Sequence, residues 1–246
     1  MSNTPSTNVD EAIESQRNLL QPPCATCVVV PDATRPLPVE AVLRPLLKFL
    51  VVSGSPTSIL VGLGLHRPMT DAELEPLRQV CEGLDVEIVQ HDARGDDLID
   101  VGLATDLPPS SPPELPRVLN RLVVNSERLI CVGTVEPHQY AGFSGGIKAV
   151  SIGCAGAETI SAMHGLDLLR DPKTTLGRVD DNPFQQQPIS TMCWDFRSSP
   201  LQGAASQICS SATLPLHMAT PAPGHRVYSS RTSTNPYSGC IFPFPT

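Results

Sequence analysis

Four apolar runs, each closed by a polar turn, constrain this chain more than any other feature. They are CVVVPD (27–32), SILVGLGL (58–65), DVEIVQ (85–90) and RLICVGTV (128–135), and they read as strands. Helical stretches alternate with them. Val39, Val42, Leu43, Leu46, Leu47 and Leu50 recur at helical spacing, with Pro45 marking a kink or a break. Thr70 stands three residues before Glu73, a capping box that opens a helix through about Glu82. ELPRVLNRLVV (114–124) is compatible with a further helix, and AGAETISAMHGLDLL (155–169) with one that Gly165 interrupts. Strands alternating with helices imply an α/β fold: a Rossmann-like, mainly parallel sheet with helices on both faces.

In such sheets ligands bind beyond the carboxyl ends of the strands. The polar residues of this chain gather there. Asp32, Thr34 and Arg35 follow the first strand, His66 and Arg67 the second, His91 and Asp92 the third, Glu136 and His138 the fourth. Three of four strand ends carry a histidine, which points to an enzyme.

Composition divides the chain. Its 246 residues suffice for one domain or a little more, and 40% hydrophobic residues supply a core. Charged residues are sparse at 17% and prolines numerous at 26, so part of the sequence is not ordinary globular chain. Residues 1–22 read as a disordered N-terminus, 23–183 as the α/β domain, and 184–246 as an irregular, low-order Ser/Thr/Pro-rich tail with a single acidic residue, Asp195. That tail is a linker, a disordered extension or a reading-frame artefact. A net charge of −8 argues against nucleic acid as a partner, because phosphate neutralisation needs clustered Lys and Arg. It leaves room for a small anionic ligand.

No apolar run is long enough to cross a bilayer, and the polar, acidic start lacks a secretory pattern, so no membrane contact and a cytoplasmic location are expected. Cys24 and Cys27 form one CxxC without a second pair or histidines at metal spacing, which favours a structural role.

Residues 136–148, EPHQYAGFSGGIK, concentrate the chemistry. GFSGG matches the serine-hydrolase elbow around Ser144, but EPHQYA separates it from the strand that should lead straight into the serine. Lys148 is one of only three lysines, with Lys48 and Lys173. Glycines precede it and small apolar residues follow, so its amine is placed for partial desolvation and covalent bonding. His164 is either a packed helical histidine or, if its helix folds back over Lys148, a metal ligand. His66 and His138, facing one pocket, would form an acid/base pair of the kind a racemase needs. Arg35 either binds a carboxylate or phosphate, or pairs with Asp32.

DATRP (32–36), GLHRPMT (64–70), EPHQYAGFSGGIKAVSIGCAG (136–156) and TISAMH (159–164) resemble, in order and spacing, the N-terminal domain of the nickel-dependent lactate racemase family. The resemblance covers residues 24–183. It implies a nickel-pincer nucleotide (nickel pyridinium-3,5-bisthiocarboxylate mononucleotide) held by Asp32, Ala33, Thr34 and Arg35, tethered covalently through Lys148, with His164 as a nickel ligand. His66 and His138 would be the acid/base histidines, and Arg35 would also bind the substrate carboxylate. The implied reaction is racemisation of a 2-hydroxy acid such as lactate by proton-coupled hydride transfer, with cofactor-maturation proteins as partners. Family members are longer and carry a second domain for which this chain shows no counterpart, so it reads as truncated, with weak or no turnover expected alone. A serine hydrolase using Ser144 and a non-catalytic remnant domain are the alternatives.

Overall fold

The computed structural model describes residues 9–101, 116–179 and 181–184. Most of the tail assigned to 184–246 lies outside them. Four parallel strands form the central sheet: β1 (Thr26–Pro31), β2 (Thr57–Gly62), β3 (Val86–Gln90) and β6 (Arg128–Cys131), in the order β3-β2-β1-β6. Between them come α3 (Val39–Val52), α4 (Asp71–Cys81), and a small antiparallel pair, β4 (Leu98–Asp100) with β5 (Val118–Asn120), that leads into α5 (Arg121–Asn125).

Alternation along the strands fills two cores. Val28, Val30, Ile59, Val61 and Ile130 pack against Leu43, Leu46, Leu47 and Leu50 of α3 and Leu77 and Val80 of α4. Cys27, Val29 and Leu60 point to the other face, against Val123 of α5 and the later helices. Helices therefore cover both faces, as expected for strands apolar on both sides.

Pro45 neither breaks nor ends α3, which runs through it to Val52. A proline inside a helix costs about 3 kcal/mol. Four fully buried leucines each return about 1.5–3 kcal/mol, so packing overrides the local penalty. The capping box is present: the Thr70 hydroxyl accepts from the Glu73 amide and the Glu73 carboxylate from the Thr70 amide. The helix expected over 114–124 is instead β5 followed by α5 from 116 onward, because the Asn120 side chain accepts from the Leu122 amide and starts the helix there.

The N-terminus also departs from expectation. Residues 9–20 form two short helices, α1 (Val9–Ser15) and α2 (Arg17–Leu20), instead of disordered chain. Ile13 and Leu20 are buried in the α3-side core, and that burial orders the segment. After β6 come a two-residue hairpin, β7 (Pro137–His138) with β8 (Gly142–Phe143), then α6 (Ile147–Ser151), α7 (Ala157–Met163) and α8 (Leu166–Leu169). Gly165 does separate α7 from α8. Among the described residues, no helix is long and apolar enough to cross a membrane.

Candidate active site

The chain runs outward from β1 through β2 to β3, then returns to the other side of β1 with β6. The order reverses between β1 and β6, and a crevice opens at their carboxyl ends. A cavity of about 520 Å³ lies there, large enough for a nucleotide-sized ligand. Asp32, Thr34, Arg35, His66, His138, Ser144, Lys148 and His164 all line it. Residues up to 132 positions apart are thus brought together. Ala33 is exposed on the turn and is not among the lining residues.

One wall is built by the ends of β1 and β2. The Asp32 carboxylate accepts from the Thr34 amide and hydroxyl, and meets His66 Nδ1 at 2.5 Å. Asp32 is 7% exposed, so burial pushes its carboxyl up. The hydrogen bonds from Thr34 and His66 more than offset that, and it titrates below its ordinary range. With Nδ1–H donated to the carboxylate, His66 presents its Nε2 lone pair on a largely exposed ring. Arg35 pairs with Glu136 across the β1/β6 gap at 2.8 Å, not with Asp32. That pairing joins the two strand ends on either side of the crevice. Arg67 points away, to Glu73.

The other wall is the segment after β6. Lys148 sits in α6, its amine 6.0 Å from the centre of the Phe184 ring. Burial and then the Arg35 charge lower its pKa to about 8, so a useful fraction of the amine is unprotonated near neutral pH. His164 ends α7, and its Nδ1 meets the Ile160 carbonyl oxygen at 2.7 Å. A carbonyl only accepts, so Nδ1 carries the proton and Nε2 is free to ligate a metal, the arrangement usual for metal-binding histidines. Among the described residues no three His, Cys, Asp or Glu side chains cluster as a metal site.

His138 accepts hydrogen bonds at Nδ1 from the amides of Tyr140 and Ala141, both 3.2 Å. Burial, and then the charges of Lys148, Arg35 and His164, lower its pKa to about 4. The Ser144 hydroxyl bonds the Glu136 amide and the Thr134 carbonyl. It is held in a turn by backbone, and its bonds are to main chain rather than to a base.

His91 is buried outside the cavity, bonded at Nε2 to the Ala155 carbonyl and at Nδ1 to the Asn120 amide group. It straps β3 to β5 and the loop before α7. Cys27 is fully buried with its thiol pushed up to about 12 by burial, which suits a packing role for that cysteine.

Phe184 and Asn182 were not singled out in the sequence. Phe184 is 1% exposed and contacts the rings of His138 and His164 at 6.3 and 5.2 Å between centroids. Asn182 is fully buried; it donates to the Tyr140 and Arg178 carbonyls and accepts from the Phe184 amide. The only sequence signal was the run DNPF at the compositional boundary, where an Asn-Pro turn ends in a large aromatic. Phe184 belongs to the packed unit, one residue past the boundary drawn from composition.

Comparison with known proteins points to one family. The family model "Lactate racemase N-terminal domain" matches residues 4–177. Lactate racemases from Thermoanaerobacterium thermosaccharolyticum and Lactiplantibacillus plantarum are each 30% identical to this chain, over 166 and 171 residues, covering 66% of it and 37% of their own length. The structure of the T. thermosaccharolyticum lactate racemase apoprotein superposes with a TM-score of 0.64 at 26% identity, over 75% of this chain and 45% of that one. A Thermotoga maritima protein superposes equally well, with a TM-score of 0.64 at 25% identity over 78% of this chain.

Proposed function

The chain belongs to the lactate racemase family through its N-terminal domain, and on that premise we propose that it binds a nickel-pincer nucleotide and serves the racemisation of a 2-hydroxy acid. It spans 37% of the length of the curated relatives it matches. The observation that carries the proposal is the pairing of Lys148, a half-buried amine with its pKa lowered to about 8, with His164, whose Nε2 is free, on one wall of the cavity.

These residues fit the group. Lys148 is the tether: an unprotonated amine is what bond formation to a carboxyl-derived carbon needs. His164 supplies one nickel ligand from the protein. Gly145 adopts φ +81, and a Cβ there would lie 3.0 Å from the Thr134 carbonyl oxygen, so the turn before the lysine stays bare of side chain. Asp32, Thr34 and Arg35 hold the opposite edge, with Ala33 contributing backbone only. When bound, the group supplies a hydride acceptor.

The remaining chemistry belongs to this chain. Arg35 orients the substrate carboxylate: one of its five N–H donors is engaged with Glu136, and among the described residues the others are available. His66 takes the hydroxyl proton at Nε2, with Asp32 stabilising the imidazolium that forms. His138 faces the substrate oxygen from the second wall. Maturation proteins are the partners that would deliver the cofactor.

The test is denatured intact mass after co-expression with a nickel-pincer maturation system. An adduct on the parent chain that disappears in Lys148→Ala is the expected result. A folded parent without an adduct would overturn the proposal and leave a non-catalytic remnant. A serine hydrolase is disfavoured by the backbone contacts of Ser144.

A further inference from the structure

Lys148 differs from the chain's other two lysines. Lys48 and Lys173 are exposed, and Lys173 pairs with Asp181. Lys148 is half-buried in the cavity wall, and among the described residues no carboxylate pairs with its amine. The Phe184 ring stands 6.0 Å from Nζ, at the outer reach of a cation–π contact. Burial and the charge of Arg35 both oppose the ammonium form. The result is a nucleophilic amine in a cavity that also holds a guanidinium.

We propose that, before any cofactor is attached, Lys148 forms a reversible imine with a 2-keto acid whose carboxylate is held by Arg35. Two groups select that class. Arg35 gives one N–H to Glu136 at 2.8 Å, and among the described residues its other donors are unengaged, so its planar fork can take a second carboxylate. A carbonyl carbon next to that carboxylate is the electrophile an unprotonated amine attacks. The choice of keto acid rests on the racemase reading, because a 2-hydroxy acid that gives up its hydride and hydroxyl proton becomes a 2-keto acid. The amine chemistry does not rest on it.

The step balances without an oxidant or a reductant. The Nζ lone pair attacks the keto carbon, the π pair of the carbonyl moves to oxygen, and one N–H proton passes to that oxygen. A neutral carbinolamine results. The nitrogen lone pair then forms C=N as the C–O bond breaks, and the hydroxyl leaves as water with a proton from a cavity histidine. His66 suits that transfer, because Asp32 at its Nδ1 stabilises the imidazolium that carries the proton. The iminium keeps one N–H. Hydrolysis reverses each step and returns the free amine. The imine and a cofactor tether use the same nitrogen and exclude each other.

The experiment is reductive trapping. The full chain, without cofactor, is incubated with pyruvate and cyanoborohydride at neutral pH, and intact mass with peptide mapping locates the product. One reduced pyruvyl group at Lys148 is expected. It should vanish in Lys148→Ala and Lys148→Arg, and fall by at least roughly tenfold in Arg35→Gln or when pyruvamide replaces pyruvate. An unlabelled parent would overturn the proposal. So would label spread over Lys48, Lys173 and the N-terminal amine without preference for Lys148, or equal labelling by pyruvamide. Mapping on the parent reads the site directly should a variant fail to fold. Trapping without a nickel-pincer adduct would refute the racemase reading alone, and an adduct without trapping would refute the imine alone.

Discussion

The two walls of the cavity use the same residue types differently. On the β1/β2 wall, Asp32 holds an exposed His66 from its carboxylate side. On the wall after β6, backbone amides and an aromatic ring surround a half-buried His138, while Lys148 loses part of its proton affinity to burial. A carboxylate partner prepares a histidine to carry a proton. An amide partner in a drier, cationic corner keeps it neutral. The difference teaches that a histidine at a strand end is not yet a role; its Nδ1 neighbour decides.

The largest way to break the contrast is to dismantle the second wall alone. Gly142→Ala forces a Cβ into the Arg178 carbonyl at φ +75, which should cost roughly 3 kcal/mol or more in a urea unfolding midpoint. His66 and Asp32 should keep their ring contact under conditions where the variant is folded. Asn182→Ala is next. It removes three hydrogen bonds from a fully buried side chain, at about 1 kcal/mol each.

The walls should also separate in acid. His138 has its pKa lowered to about 4 from 6.5, so between those values the unfolded chain binds more protons and stability falls as pH drops. His138→Gln should flatten that slope in pH-dependent denaturation. Asp32 has the same sign in a lower pH window. Its carboxyl titrates below the ordinary aspartate range, so its contribution is present above that range and is lost as pH falls through the lowered value. Asp32→Asn should lower stability above pH ~5, where that contribution is present, and converge on the parent at the acid end, the smallest of these effects.

Much of the sheet was legible because strand and helix periods are local. The β1, β2, β3 and β6 runs and the Thr70 cap lie where spacing placed them. What misled was local reading without packing. Pro45 looked like a break until four leucines were seen holding α3 down, and residues 9–20 looked disordered until Ile13 and Leu20 were seen buried. The strand-end rule gathered Asp32, Arg35, His66 and His138, yet could not tell His91, which straps the core, from its two neighbours in the list of strand ends. Phe184 and Asn182 were illegible because they act through contacts 20 to 46 residues back in the chain. The same holds for the Arg35–Glu136 pair, which closes a gap of 101 residues.

The division of labour between the walls is the central claim, and nickel content per polypeptide after co-expression with the maturation system tests it most directly. The parent and His66→Gln should retain equal nickel, while His164→Ala loses it. Equal loss in His66→Gln and His164→Ala, or full retention in His164→Ala, would contradict the account.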